Sequence, residues 1–551
     1  MKIGLAQLNY HIGNFSDNTT AIAYEIKKAH AKQVDLLLFS ELSICGYPPL
    51  DLLEHKEFIE ECMQSVKRIA PICTDIGVLI GTPTINPETS GKKLHNSACF
   101  LHHGKIQEIF HKTLLPTYDI FDEYRHFEPN KEFRLLEFKD IKIAVTICED
   151  LWYDQPFDSD FTNNRLYTMN PMERFAPLHP DLVINLAASP FSFTKFETKK
   201  SIFINTAKKY GIPVIYVNQV GGNTELIFEG GSLAINSAGK IIRELRYFNT
   251  ETSYLDTGLL FSKDSKPVVS SQVDPAEMMH DAIILGLKDY FIKNGFTDAI
   301  IGLSGGIDSA VTLVLAARAL GNDHVRVLLM PSDYSSEHSI QDAVTLSEKM
   351  GIRYNVINIQ KIFDLFRKEL EILFKNNPEN IAEENIQSRI RNVLLMALSN
   401  KFGNILLNTS NKSETAVGYG TLYGDMAGGL AVLGDVYKTD VYRLARYINR
   451  KEEIIPNKIL TKPPSAELKP GQKDTDSLPE YEILDKILSE YIEHNKSAKE
   501  ISLNGFDPDL TEKIIRMVNQ NEFKRYQCPP VLRISSKAFG PGRRMPLVAK
   551  Y

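Results

Sequence analysis

Apolar positions along the first half of the chain fall in short runs, at residues 34–39, 77–80, 141–147, 182–186 and 213–217. Each run is rich in Ile, Val or Leu and bounded by turn residues, the pattern of a buried strand. Stretches of helical periodicity lie between several of them, as at 18–32 and 199–210. The opening Met-Lys-Ile-Gly-Leu-Ala-Gln-Leu is strand-like from the start. Near Leu260 the pattern breaks into a polar, Pro- and Ser-rich stretch, 262–275, which reads as a linker. A second series then begins. Residues 299–303, 325–330, 353–359 and 404–408 read as strands and 309–320 as a helix. Strand–helix alternation in both halves predicts an α/β protein, the second half with a parallel, doubly wound sheet.

A length of 551 residues exceeds what one core organises, so more than one domain is expected. The boundaries read as 1–260 and 276–551, with 261–275 between them. Composition then removes several function classes. A net charge of -6 gives no basic field for nucleic acid. No apolar stretch approaches bilayer length, and the N-terminus lacks a signal-peptide pattern. The six cysteines are scattered without a CxxC pair, which argues against a zinc or disulfide framework and fits a reducing cytoplasm. Segment 463–480 is rich in Pro, Lys, Asp and Gly, and reads as a lid or binding loop or else as a disordered stretch.

The most specific chemistry lies at Gly302-Leu303-Ser304-Gly305-Gly306-Ile307-Asp308-Ser309, where a predicted strand meets a predicted helix. Paired glycines let backbone N–H groups approach an anion, and the helix N-terminus adds its positive end. Ser304 and Ser309 offer hydroxyl donors. Asp308 would repel phosphate unless it holds Mg²⁺ that bridges to it. The Walker pattern GxxxxGK[ST] is absent.

This loop resembles that of the ATP-pyrophosphatase superfamily, whose members adenylate a carboxyl or carbonyl group and let a nucleophile displace AMP. Further stretches narrow the resemblance to NAD synthetases: Pro331-Ser332-Asp333-Tyr334, Asn385-Ile386-Gln387-Ser388-Arg389-Ile390-Arg391, Thr409-Ser410-Asn411-Lys412-Ser413-Glu414, Pro464-Ser465-Ala466-Glu467, and on to Lys524-Arg525 and Arg543-Arg544. The family usually carries Met after the second Arg of its Arg-Ile-Arg helix, where this chain has Asn392. The resemblance implies that the 302–309 loop and Thr409 contact ATP. It implies that Asn385, Glu414 and Lys524 contact deamido-NAD, with Asp308 and Glu414 near Mg²⁺.

In the first half, Glu41 follows one strand-like run, Cys148 ends another, and Lys112 sits in His111-Lys112-Thr113-Leu114. A carboxylate can take a thiol proton, and a lysine can stabilise an oxyanion. Together the three resemble the Glu-Lys-Cys triad of the nitrilase and amidase superfamily, whose fold is an α-β-β-α sandwich. Flanking Gly46-Tyr47-Pro48-Pro49 and Asn185-Leu186-Ala187-Ala188-Ser189-Pro190-Phe191 support it. Nitrilase-like domains joined to NAD synthetases act as glutaminases. In that arrangement Tyr118, Ser189 and Lys195 match glutamine-holding positions, and Glu123 is a second acid near the nucleophile.

The joint expectation is a glutamine-hydrolysing ligase. It releases ammonia from L-glutamine and amidates deamido-NAD to NAD through an acyl-adenylate, with ATP giving AMP and pyrophosphate. Halves of roughly 270 residues have radii of gyration near 18 Å, so an internal passage for ammonia and a homo-oligomer are expected. Other ATP-pyrophosphatase amidotransferases, a stand-alone amidase and a non-catalytic scaffold are the competing readings.

Overall fold

The computed structural model describes residues 1–155, 165–268, 274–375 and 377–550. By contact the chain divides into two compact units, Met1–Gln272 and Val273–Tyr551. The stretch expected as a linker opens on the last residue of helix Thr257–Phe261 and closes on the first of helix Pro275–Asn294. Asp274 caps that second helix by accepting from Ala276 N, and Pro275 suits its first position. Residues 269–273 of the expected linker lie outside the described residues.

The first unit is built on two six-stranded sheets. One orders Glu251–Asp256, Lys2–Gln7, Leu36–Leu38, Gly77–Ile85, Leu94–His102 and Lys105–His111. The other orders Ile241–Glu244, Leu233–Ile235, Val214–Asn218, Leu182–Ala187, Ile141–Ile147 and Leu136–Phe138. Their inner faces share one core. Leu36 and Leu38 point into it beside Ile3 and Leu5, facing Val145, Ile147 and Ile184. Leu37, one residue out of phase, packs outward with Ile22 and Ile26 of helix Phe15–Ala31. Helix Phe196–Tyr210 covers the second sheet through Phe203, whose ring stacks on Tyr216 at 4.3 Å. Period-2 alternation across the sheets and helical stripes outside them give the expected α-β-β-α layering. The expected strand 34–39 shortens to three paired residues. The hairpin Leu94–His102 and Lys105–His111 was not foreseen, because Asn96, Ser97 and flanking His residues mask its apolar alternation.

The second unit carries a five-stranded, wholly parallel sheet ordered Arg353–Val356, Val325–Leu329, Ala299–Gly302, Ile405–Asn408 and Leu430–Ala431. Chain order reverses between Ala299–Gly302 and Ile405–Asn408, the place where doubly wound sheets open a ligand crevice beyond the strand ends. Helices Pro275–Asn294, Ile307–Leu320 and Ile381–Phe402 flank the sheet. A smaller helical cluster gathers Leu484, Ile487, Leu488, Ile501, Ile514 and Val518. Among the described residues, no helix is long and apolar enough to cross a membrane.

Candidate functional site

In the first unit, Glu41, Lys112 and Cys148 come together at the carboxyl ends of strands from both sheets. Glu41 lies just beyond Leu36–Leu38, Lys112 just beyond Lys105–His111, and Cys148 just beyond Ile141–Ile147. The turn carrying Glu41 presses against Gly81. A Cβ there would sit 2.3 Å from Leu42 N and 2.5 Å from Ser40 O, so the strand admits only glycine at that point.

Lys112 is fully buried, with Nζ 2.7 Å from Glu41 Oε1 and 2.8 Å from the Glu123 carboxylate. Asn96 Nδ2 and the Ala188 N–H donate to the two oxygens of Glu41, at 2.7 and 3.0 Å. Tyr47 OH donates to Glu123 at 2.9 Å. The arrangement is one cation between two carboxylates, each fixed by further donors, as a buried ionic group requires. Burial alone would favour a neutral Lys112, but the Glu123 and Glu41 charges outweigh it and hold the ammonium well above the ordinary lysine range. Burial pushes Glu123 up to about 7, with Lys112 opposing and Glu41 adding.

Cys148 opens the short 3₁₀ turn Cys148–Leu151 with φ of 43°, a left-handed backbone unusual for a side chain other than glycine. This elbow turns the thiol out of the strand direction. Burial and the Glu41 carboxylate push the thiol well above its usual range, with Lys112 opposing.

The residues expected around glutamine are placed unequally. Tyr118 OH donates at 2.9 Å to Glu149, the residue after Cys148. Ser189 follows Ala188, and its N–H donates to Asn218 Oδ1 at 2.9 Å. Lys195 precedes helix Phe196–Tyr210 as its N-cap residue. Sequence reasoning did not single out Glu149, whose Oε1 also accepts from Tyr167 OH at 2.7 Å and Gln155 Nε2 at 3.2 Å. Nor did it single out Asn96 or Lys199, which pairs with Glu229 and donates to Ser189 O at 3.4 Å. Only the run Cys148-Glu149-Asp150 carried any signal, as two acids beside a thiol.

In the second unit a cavity of about 410 Å³ is lined by the whole 302–309 loop with Asn385, Thr409, Glu414 and Lys524. The loop leaves strand Ala299–Gly302 and enters helix Ile307–Leu320. Gly305 has φ of +79°, and a Cβ there would lie 2.2 Å from Ser339 O. Ser304 N donates to Ser309 Oγ at 3.3 Å, Gly306 N to Ser304 Oγ at 3.2 Å, and the two hydroxyls lie 3.1 Å apart. These bonds shape a cradle of hydroxyls at a helix N-terminus, suited to phosphate.

Asp308 and Glu414 meet at a shared cation. Lys438 Nζ lies 2.6 Å from Asp308 Oδ2 and 3.2 Å from Glu414 Oε1, and Asn411 Nδ2 donates to Asp308 Oδ1 at 2.9 Å. Burial raises Glu414 to about 8, with Lys438 opposing and Asp308 adding. The two carboxylates that share the Lys438 ammonium are also the oxygen donors that Mg²⁺ takes, an ion that uses few protein ligands and completes its shell with phosphate and water. Lys438 follows strand Leu430–Ala431 in no recognisable motif, and it was not foreseen.

Thr421 Oγ1 donates to Asn385 Oδ1 at 2.7 Å, and Lys524 Nζ donates to Gly418 O and Gly420 O at 2.8 and 2.9 Å. Asn392 Nδ2 donates to Tyr423 O at 2.9 Å, so this departure ties helix Ile381–Phe402 to the 421–425 turn. Within the long loop, Pro464, Ser465, Ala466, Glu467 and Gln472 line the cavity. Glu467 accepts from Ser336 Oγ at 3.0 Å, Ser339 Oγ at 2.7 Å and Lys462 Nζ at 2.7 Å, anchoring the loop to the start of helix Glu337–Lys349.

Residues 2–157 match the carbon-nitrogen hydrolase family and residues 279–528 the NAD synthase family. A glutamine-dependent NAD(+) synthetase of Synechocystis is 46% identical over 100% of this chain and 99% of its own length. One from Thermotoga maritima is 39% identical over 100% of this chain and 99% of its own length. The solved Acinetobacter baumannii enzyme of that name, in complex with adenosine diphosphate, is 36% identical with a TM-score of 0.78, covering 99% of this chain and 98% of its own. The Cytophaga hutchinsonii enzyme, at 22% identity and a TM-score of 0.83 over 100% of this chain and 98% of its own, shares the fold.

Proposed function

This chain belongs to the glutamine-dependent NAD(+) synthetase family, and from that premise we propose how its own residues divide the work. The reaction is the ATP-dependent amidation of deamido-NAD to NAD with nitrogen from glutamine, so the chain is a ligase.

Cys148 is the nucleophile. Its Sγ attacks the side-chain amide carbon of glutamine while Glu41 takes the thiol proton. The Lys112 ammonium faces the developing oxyanion. Collapse of the tetrahedral species breaks the C–N bond, and Glu41 returns the proton to the departing ammonia. Water then hydrolyses the thioester to glutamate, with Glu41 as base. Glu123 keeps Lys112 charged and fixed. Tyr118, Ser189 and Lys195 hold the substrate.

In the second unit the 302–309 loop and Thr409 hold ATP, and Asn385, Glu414 and Lys524 hold deamido-NAD. The nicotinate carboxylate attacks the α-phosphorus and expels pyrophosphate. Ammonia then displaces AMP from the acyl-adenylate. Asp308 and Glu414 would hold Mg²⁺, which when bound would neutralise charge on the phosphates. Loop N–H groups and the Ser304 and Ser309 hydroxyls steady the leaving pyrophosphate.

The observation that carries this reading is the buried Lys112 between Glu41 and Glu123 beside the Cys148 elbow. A homo-oligomer is part of the proposal. Leu365, Phe366, Ile372 and Leu373 form an exposed apolar face on helix Gln360–Phe374, which favours self-association and is checked by light scattering. All six cysteines are free thiols, which supports a cytoplasmic site of action. The deciding experiment supplies ATP, deamido-NAD and amide-labelled glutamine. Label in the carboxamide of NAD supports the scheme, and label found only as free ammonia overturns it.

A further inference from the structure

Asp150 lies two residues beyond the nucleophile and is buried at 2% exposure. Its carboxylate is taken up wholly by backbone. Oδ1 accepts the N–H groups of Thr113 and Leu114, both at 2.8 Å, and Oδ2 accepts that of Ile147 at 2.9 Å. Thr113 and Leu114 directly follow Lys112, and Ile147 directly precedes Cys148. The two segments come from different sheets, Lys105–His111 in one and Ile141–Ile147 in the other. One side chain therefore joins the backbone on either side of the reaction centre.

We infer that Asp150 is a positioning residue that sets the distance between the Lys112 ammonium and the Cys148 thiol. The inference rests on the assignment of Glu41, Lys112 and Cys148 to glutamine hydrolysis. Three features carry it. Thr113 and Leu114 lie past their strand end and Ile147 is the last residue of its strand, and at each a buried N–H takes the Asp150 carboxylate as the partner it needs. Cys148 is held at φ of 43°, a conformation that persists only where its surroundings over-determine it. Finally, both oxygens are engaged by donors alone, so only a group with two acceptor atoms completes the clamp. Asparagine in its place keeps one acceptor and turns an NH₂ toward the Ile147 N–H, donor against donor. The charge also matters, since an ionised acceptor makes the stronger bond to a backbone N–H. Asn185 secures the far side of the elbow, with Nδ2 donating to Cys148 O at 3.2 Å, so release of the Asp150 clamp frees one flank of the nucleophile and leaves the other tied.

The test is Asp150→Asn in the full chain. A displacement near 1 Å between reacting groups costs about 100-fold in rate. Glutamine-driven kcat should therefore fall by about that factor while the KM for glutamine changes little, because the Asp150 oxygens are taken up by the Thr113, Leu114 and Ile147 amides. Cys148 alkylation by iodoacetamide, followed on its own peptide by mass spectrometry, should slow in parallel. NAD synthesis driven by ammonium salts, the chemistry of the second unit, should persist. Equal kcat in variant and parent, or a fall matched by a rise in KM, overturns the inference. Hydrogen exchange on the unaltered protein gives a second measurement independent of how the variant folds. The Thr113, Leu114 and Ile147 amides should be protected to the level of the adjoining strands, and fast exchange there also overturns it. Failure of the underlying assignment reads differently, as glutamine-driven activity surviving Cys148→Ala.

Discussion

Lys438 and Asp308, 130 residues apart in the chain, meet as an ion pair at 2.6 Å in the second unit, and the same ammonium reaches Glu414 at 3.2 Å. Lys438 thereby offsets the repulsion of two carboxylates that line a phosphate-shaped cavity. Lys438→Met leaves both acids buried beside each other without a counter-charge. Pyrophosphate release from ATP should fall by about 10²-fold or more with either glutamine or ammonium as nitrogen source, while glutaminase activity persists. A quantitative pyrophosphate assay run beside a glutamate assay checks it. Equal loss in both assays would point instead to global unfolding.

Cys148→Ala removes the proposed nucleophile and no residue that lines the cavity of the second unit. Glutamine-driven NAD formation should drop to background, and ammonium-driven formation should stay within about twofold of the parent, since among the described residues Cys148 shares no partner with the residues of that cavity. Rates measured with each nitrogen source at saturating ATP and deamido-NAD decide the matter.

The phosphate loop depends on a backbone that only glycine adopts freely. Gly305→Ala places a Cβ at a φ of +79° and 2.2 Å from Ser339 O, so the loop must shift. The variant should remain folded, with a strain cost of roughly 1–3 kcal/mol. Its KM for ATP should rise at least tenfold, read by initial-rate kinetics beside a thermal melt.

Glu123 couples the first site to pH. Its carboxyl is raised by burial from 4.5 to about 7, with Lys112 opposing and Glu41 adding. A raised carboxyl binds its proton more tightly in the folded state, so this group's contribution to stability is present at low pH. It is lost as pH rises from 4.5 toward 7. Glu123→Gln removes the titration. The melting temperature of the first unit should then fall less steeply across that window than in the parent, as followed by calorimetry at several pH values. Identical slopes would exclude Glu123 as the titrating group.

The long loop is held by one acid. Glu467→Ala removes the acceptor for Ser336, Ser339 and Lys462. Limited proteolysis should cut within 462–472 faster than in the parent, and the KM values for ATP and deamido-NAD should rise about 3–30-fold, the loss of one or two charge-assisted hydrogen bonds. Unchanged cleavage would remove Glu467 as the anchor.

Local sequence determined much of this protein. Apolar runs bounded by turn residues located the central strands of both units, because burial on both faces leaves few polar positions to blur the pattern. The 302–309 loop was legible because its glycines and hydroxyls are contiguous and its geometry follows from one strand–helix junction. The Glu41, Lys112 and Cys148 segments were legible as motifs, Glu41 and Cys148 each at the end of an apolar run. Tertiary structure alone decided what joins them. Glu41 reaches Lys112 because one sheet brings the ends of Leu36–Leu38 and Lys105–His111 together, Cys148 joins them from the second sheet, and Lys438 reaches Asp308 only because the sheet of the second unit brings strands Ala299–Gly302 and Leu430–Ala431 to the same edge of the crevice. The hairpin Leu94–His102 and Lys105–His111 escaped detection for a related reason. Its Asn96 donates to Glu41, 55 residues away, and its Ser97 pairs with Thr84 and His111, contacts that a local pattern of apolar positions does not register.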